Sequence, residues 1–372
     1  MHGVILFRTQ QPLGALMNVG LFYAQQLPDT APHIGFEWDM QVARWADEFG
    51  FAEAWFSEHF TEGYERWCAP ELQIAAALRE TTNLRFGTAA NLLPYHNPVA
   101  LAHRLMALDH MAQGRLMVGF GAGAYPTDAQ LFGTELPAQN HEMLLEGHDL
   151  IKAIWANTGE ALKIDGKHFS VDIPELDPVK VLGGHWRPYQ EGGPRTAIAG
   201  FSPRSSTIRE GGARGDIPMS ISMTDGFLKG HWDVYCEGAE SAGLTPDRGD
   251  WRVVRDVIVG PTDEAAMELA LSTPIRRQWN EWTIPANTPH LQKVAARHLD
   301  PALVDQEYLA RNNWVVGSPE TVIAKLEQEQ KDCGGFGTLL VYNYDFHAEP
   351  EKFQLHLELL AKEVAPAIKS SF

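Results

Sequence analysis

Several stretches of this chain combine residue types that chemistry requires. Ser57-Glu58-His59-Phe60 sets three polar side chains directly after the apolar run AEAWF. An imidazole titrates near neutrality, so His59 suits proton exchange with a peroxide or an enolate. The same position also suits a histidine hydrogen-bonded to Glu58 or to a carbonyl where a strand ends. Glu58 in turn either orients His59 or joins an ion pair with an arginine. A second stretch, Ala89-Ala90-Asn91, runs into Leu92-Leu93-Pro94-Tyr95-His96-Asn97-Pro98.

Two loops invite a ligand. Gly119-Phe120-Gly121-Ala122-Gly123-Ala124 matches a loosened dinucleotide fingerprint. That fingerprint belongs to a first βα turn, whereas this run comes far into the chain, and Pro126 is expected to disturb the helix that would receive a pyrophosphate. Close backbone approach to a flat ring explains the missing side chains better, with a tight corner as the alternative. Gly200-Phe201-Ser202-Pro203-Arg204-Ser205-Ser206 lies between a strand and a helix start. Its hydroxyls suit helix capping, and together with Arg204 and free N–H groups they equally suit a phosphate.

Other chemistries find little support. His103 and His110, like His141 and His148, are spaced to share a helix face, but too few ligands converge for a metal site. Cys68, Cys236 and Cys333 form no CxxC pair, which argues against a thiolate zinc site or a disulfide framework. The chain contains no GxSxG elbow and no Walker lysine motif.

These residues need elements to position them. Buried strands are expected at 3–7 (GVILF), 52–56, 84–90, 115–121, 196–201, 217–222, 251–260 and 336–343. Helices are expected at 36–49, 70–80, 98–111, 140–155, near 204–213, 226–242, from 262, 319–331 and 350–368, with a hairpin around IDGKHF. Apolar strands alternating with helices imply a parallel sheet, and eight such units imply a closed (β/α)₈ TIM barrel. The whole chain reads as one barrel domain with insertions near 156–195 and 274–314. In such a barrel the chemistry sits at the C-terminal ends of the strands, where the stretches above fall.

Composition narrows the partners. The 372 residues carry 48 acidic and 30 basic side chains, a formal charge of −18. Such a surface repels phosphate backbones and anionic lipid, so no nucleic-acid or membrane partner is expected. The start MHGVILFRTQQ lacks a basic n-region and a cleavage site, and no window approaches ~18 apolar residues, so a cytoplasmic protein is expected.

SEHF, FGTAANLLPYHNP, LDHMAQGRLMVGFGAGAYP and GFSP, in this order, resemble the luciferase-like flavin monooxygenases. PELQIAAAL, HWDVYCEGAESAGLTPDR, VGSPETV and LELLAKEVAP extend the resemblance over nearly the whole chain. Within that superfamily it looks most like the diketocamphane-type (type II) Baeyer–Villiger and limonene-type monooxygenases. The resemblance implies a luciferase-like barrel, a homodimer, reduced FMN supplied by a separate flavin reductase, O₂, and a small apolar substrate.

It also implies site residues. His59, with Glu58 beside it, matches the catalytic position after strand two. Ala89 and Ala90, followed by Asn91, match a strand-three bulge beneath the flavin ring. Gly121 and Ala122, with Gly123 next, fall where bacterial luciferases have a cysteine and an arginine. With that arginine absent, Arg204 and Ser202 become the substitutes for a phosphate contact, supported by Gly200, Phe201 and Ser205. No metal is implied. The activity implied is Baeyer–Villiger oxidation of an apolar terpenoid-like or cyclic ketone through a flavin C4a-peroxide. Hydroxylation, epoxidation or aldehyde oxidation by the same cofactor stay open, as do a deazaflavin-dependent oxidoreductase and a non-catalytic flavin-binding protein.

Overall fold

The structure, a computed structural model, describes residues 16–184, 186–200, 202–221, 227–286 and 304–369. Its strands are β1 (Asn18–Tyr23), β2 (Glu53–Phe56), β3 (Arg85–Leu92), β4 (Leu116–Gly121), β5 (Leu162–Asp165) and β6 (Ser170–Ile173). They continue with β7 (Arg195–Gly200), β8 (Ile217–Ile221), β9 (Arg252–Arg255), β10 (Val257–Val259), β11 (Val315–Gly317) and β12 (Thr338–Tyr342). Eight of them close a barrel in the order β1-β12-β9-β8-β7-β4-β3-β2. The registered neighbours β2–β3, β3–β4, β4–β7, β8–β9 and β9–β12 are parallel. β2 and β9 are buried at every residue, as strands covered on both faces must be.

Helices follow the strands in turn: α1 (Pro32–Phe49), α2 (Pro70–Glu80), α3 (Pro98–Ala112), α4 (Pro126–Phe132), α5 (Ala138–Ala156), α6 (Ser206–Arg214) and α7 (Leu228–Ser241). The first four begin with proline in the first turn, where the missing N–H costs nothing. α1 stops at Gly50, whose φ of 85° is the left-handed conformation that glycine tolerates.

Some expectations change. GVILF lies outside the described residues, and the first barrel strand is Asn18–Tyr23, an equally apolar run. The expected strand 251–260 divides at Asp256 into β9 of the barrel and β10, which pairs instead with β11. Pro126 starts α4 rather than disturbing a helix, because it occupies the first turn. The IDGKHF hairpin forms as β5 and β6, within the insertion expected at 156–195.

Two compact units make up the described residues. One takes Leu21–Ala199 and Tyr342–Pro350; the other takes the residues up to Gly20, Gly200–Val341 and those from Glu351 on. Buried aromatic side chains fill both, among them Trp55, Trp155 and Phe120 in the first and Trp251, Trp279 and Phe336 in the second.

Candidate functional site

His59 follows β2, as parallel barrels place their reactive residues. Its Nε2 lies 2.9 Å from Glu65 Oε2, and its Nδ1 lies 3.6 Å from Asp128 Oδ2. The second contact is too long for a hydrogen bond, so Nδ1 is a buried nitrogen with none. Asp128 is itself fixed by Thr61, whose N–H donates at 2.8 Å and whose hydroxyl donates at 2.5 Å. The Tyr125 ring packs on the imidazole at 4.8 Å, and its hydroxyl donates to Glu65 at 3.3 Å.

Two carboxylates decide the charge of this histidine. Burial opposes the cation, but Glu65 and Asp128 outweigh it and raise the His59 pKa to about 9. Burial likewise opposes ionisation of Asp128, and the His59 and Thr61 contacts still hold it below the usual carboxylate range. At neutral pH the ring is therefore an imidazolium. Its backbone is tethered as well: His59 N donates to the Trp67 carbonyl at 2.8 Å, and Trp67 Nε1 donates to buried Asp39 at 2.8 Å.

A raised pKa has a definite signature. The unfolded chain binds this proton only below about 6.5, whereas the fold keeps it to about 9. The contribution to folding is complete below the lower value, declines as pH rises and is absent above the upper one. Turnover that uses the cation falls over the upper limb. The Glu65→Gln variant, which keeps the shape and drops the charge, should move this limb to lower pH in an NMR titration of the ring. An unmoved limb would show that Glu65 does not hold the charge.

Glu58 does not orient His59, and its partner is not an arginine. Its buried carboxylate meets His96 Nε2 at 2.8 Å, Asn91 Nδ2 at 3.1 Å and the Leu92 N–H at 3.4 Å. Arg104 approaches His96 Nδ1 at 3.4 Å and donates to Glu71 at 3.1 Å, and Glu71 accepts from Asn91 at 3.3 Å. A guanidinium only donates, so His96 Nδ1 accepts and its Nε2–H serves Glu58. Five side chains, Asn91 among them, thus close a ring. The carboxylate beside the histidine is spent on His96, Asn91 and the Leu92 N–H, on β3 and just after it.

The ring of contacts sits directly after an irregularity in β3. The register with β4 shifts between Thr88 and Asn91, leaving Ala89 and Ala90 as a bulge with half-buried methyl groups and a cis peptide between them. The neighbouring glycines answer mostly to their own surroundings. A Cβ on Gly119 would lie 2.3 Å from the Thr88 carbonyl oxygen, and one on Gly123 2.4 Å from the Tyr95 hydroxyl. Packing alone accounts for both. Gly121 faces the bulge itself, with the Ala90 methyl 3.3 Å from such a Cβ. Ala122 offers its carbonyl to Asn140 at 2.9 Å.

The loop after β7 occupies the other unit. Phe201 lies outside the described residues. Ser202, Pro203 and Arg204 are exposed, and buried Ser205 caps α6 by accepting from Ile208 N. Gly200 is bare because a Cβ there would meet Ser205 Oγ at 2.6 Å. Arg204 has a φ of 48°, a left-handed backbone that costs an ordinary residue about 1–2 kcal/mol. Its guanidinium donates to Glu237 Oε1 at 2.5 Å.

The sequence did not point to Glu65 or Asp128. Asp128 stands in the first turn of a helix opened by Pro126, a pattern that marks a helix start and not a partner for His59. Glu65, in a polar segment, gives no local signal. The histidines spaced for a shared face have separate partners, His103 on the Val99 carbonyl and His110 on that of Arg187. Among the described residues no group of three or more His, Cys, Asp or Glu is placed to hold a metal ion, and no helix is long and apolar enough to cross a membrane.

Comparison with known proteins adds to this geometry. The family described as Luciferase-like monooxygenase matches residues 17–334. The chain is 32% identical over 363 residues to 2,5-diketocamphane 1,2-monooxygenase 1 of Pseudomonas putida, covering 95% of this chain and 99% of that protein. Limonene 1,2-monooxygenase of Rhodococcus erythropolis is 28% identical over 346 residues, or 91% of this chain and 83% of that protein. Among solved structures, the oxygenating constituent of 3,6-diketocamphane monooxygenase from Pseudomonas putida, a type II Baeyer–Villiger monooxygenase in complex with FMN, superimposes with a TM-score of 0.88. It is 33% identical, with 95% of this chain and 99% of that one covered. The closed parallel barrel, the match over most of the length and these relatives agree: the chain belongs to the luciferase-like monooxygenase family.

Proposed function

We propose that this protein is the oxygenating part of a two-component system, using reduced FMN and O₂ to turn an apolar, terpenoid-like or cyclic ketone into a lactone or ester. The observation that carries this reading is His59, held as a cation between Glu65 and Asp128 at the end of β2. The relatives supply the reaction class by name, as monooxygenases of a diketone and a terpene.

The residues present suit such a cofactor. Ala89 and Ala90 offer small, half-buried side chains as a seat for a flat ring, and Gly121 beside them adds no bulk. Ser202, Arg204 and the N-terminus of α6 offer donors to a phosphate. When bound, reduced FMN supplies the electrons that activate O₂. His59 provides a fixed positive charge where negative charge develops on the carbonyl oxygen of the ketone. Of its two nitrogens, Nδ1 gives up its proton with the smaller loss, since Nε2 is committed to Glu65. Tyr125, packed on the ring and bonded to Glu65, keeps this pair oriented.

The test is dependence on an outside reductase. The purified chain with NADH alone is expected to give neither NADH oxidation nor product. With added FMN reductase and ¹⁸O₂, a cyclic ketone should yield a lactone carrying one labelled oxygen. NADH turnover by the chain alone, at rates comparable to product formation, would defeat the two-component reading. Unlabelled product would defeat the oxygenase reading.

A further inference from the structure

His231, on α7, is 1% exposed, and among the described residues no salt bridge to a carboxylate involves it. Its Nε2 lies 2.7 Å from the Ser202 carbonyl oxygen, and its Nδ1 lies 2.9 Å from Ser220 Oγ in β8. Ser220 Oγ also accepts a 2.8 Å bond from Trp251 Nε1. An indole N–H only donates and a carbonyl only accepts, which fixes both ends of the chain, and the neutral ring that burial favours then sets the direction of the middle bond. Trp251 donates to Ser220, the Ser220 hydrogen goes to His231 Nδ1, and the Nε2–H goes to Ser202. This arrangement is that of the neutral imidazole with its proton on Nε2, whereas a cation would give Ser220 Oγ a second donor. Burial favours the same state, holding His231 below the usual histidine range against the opposing pull of the Ser202 carbonyl.

The far end of the relay is buried and the near end is exposed. Ser220 and Trp251 are fully buried, and the Trp251 ring stacks on Trp232 at 5.2 Å. Ser202, Pro203 and Arg204 are exposed. His231 holds this turn at the Ser202 carbonyl, and the Ser205 cap holds it at the other end. Between those two anchors stands Arg204 with its left-handed backbone, a conformation that persists only where the surroundings impose it.

We propose that His231 is a positioning residue that sets the turn 202–204 for anion binding, so that preference for a phosphorylated flavin depends on a histidine that does not touch the ligand. The proposal rests on the assignment of the FMN phosphate to this turn, and the test separates the two. Oxidised FMN and riboflavin are titrated by fluorescence quenching against the wild type, His231→Leu, His231→Gln, Ser220→Ala and Arg204→Ala. The expected result is an FMN-to-riboflavin affinity ratio lowered about three- to tenfold in His231→Leu, the scale of one buried hydrogen bond. His231→Gln should restore the ratio, because its amide both donates to Ser202 and accepts from Ser220. Ser220→Ala, a smaller change that serves where His231→Leu fails to fold, should lower the ratio in the same direction. An unchanged ratio in His231→Leu or Ser220→Ala, with a lowered one in Arg204→Ala, overturns the role of His231 and leaves the phosphate assignment intact. An unchanged ratio in all the variants overturns the phosphate assignment, and the role of His231 with it.

Discussion

His59→Ala is expected to lower turnover by roughly 10²–10⁴-fold, the scale of a positioned acid or base, while FMN affinity changes little. The geometry gives two reasons for so large an effect. The variant removes the one cation between Glu65 and Asp128, so the charge meant for the developing oxyanion is lost. It also leaves two carboxylates facing one another without it, which makes a cluster of formal charge −1 into one of −2. Breaking a buried pair destabilises folding by about 3–5 kcal/mol, so turnover has to be measured where a urea titration shows the variant folded. His59→Gln separates the contributions: it restores a donor to Glu65 without restoring the charge. Activity recovered by glutamine would assign His59 to hydrogen bonding alone. Near wild-type turnover in the alanine variant would make the whole cluster a structural ion pair.

The two-carboxylate cluster was hidden from the sequence for a physical reason. His59 itself was legible because it ends an apolar strand, and barrels expose that position. Its partners come from a polar segment and from the first turn of the helix after β4, and only folding brings Asp128 to within 3.6 Å of the ring. Glu58, adjacent in sequence, drew the expectation that belonged to Glu65. Local spacing ranks neighbours along the chain, whereas the fold gives Glu58 to His96 and His59 to Glu65.

The same distinction runs through the fold. The alternation of apolar runs and helices was enough to anticipate the barrel, since burial on both faces leaves continuous apolar strands. It was not enough to choose between GVILF and NVGLFY for β1, because both runs satisfy it. It also missed the break at Asp256, whose carbonyl accepts from Val315 N and leads β10 away to β11. Glycines have a second reason to be bare. The run at 119–123 looked like room for a ligand, yet the Thr88 carbonyl and the Tyr95 hydroxyl already fill two of its three places.

On flavin binding, the largest expected effect belongs to Arg204→Ala, which should weaken FMN by about tenfold to a hundredfold. The guanidinium is engaged with Glu237, but that pair is a weak competitor. Its side chains are 56% and 43% exposed, and an exposed ion pair is worth only about 0–1 kcal/mol. A charge-assisted bond to a phosphate dianion contributes about 1.5–3 kcal/mol, so Arg204 should leave Glu237 when the phosphate arrives. Glu237→Gln should therefore strengthen FMN binding, since it removes both the competitor and a repelling charge. Riboflavin, which lacks the phosphate, should bind all three forms almost equally. A parallel loss of both flavins in Arg204→Ala would mean that Arg204 supports the ring or the fold. Unchanged FMN affinity would pass the phosphate to Arg209, whose Nε lies 3.9 Å from the same Glu237 and whose side chain is 59% exposed. Arg195 is a poorer substitute, because it begins β7 and the turn follows that strand's other end.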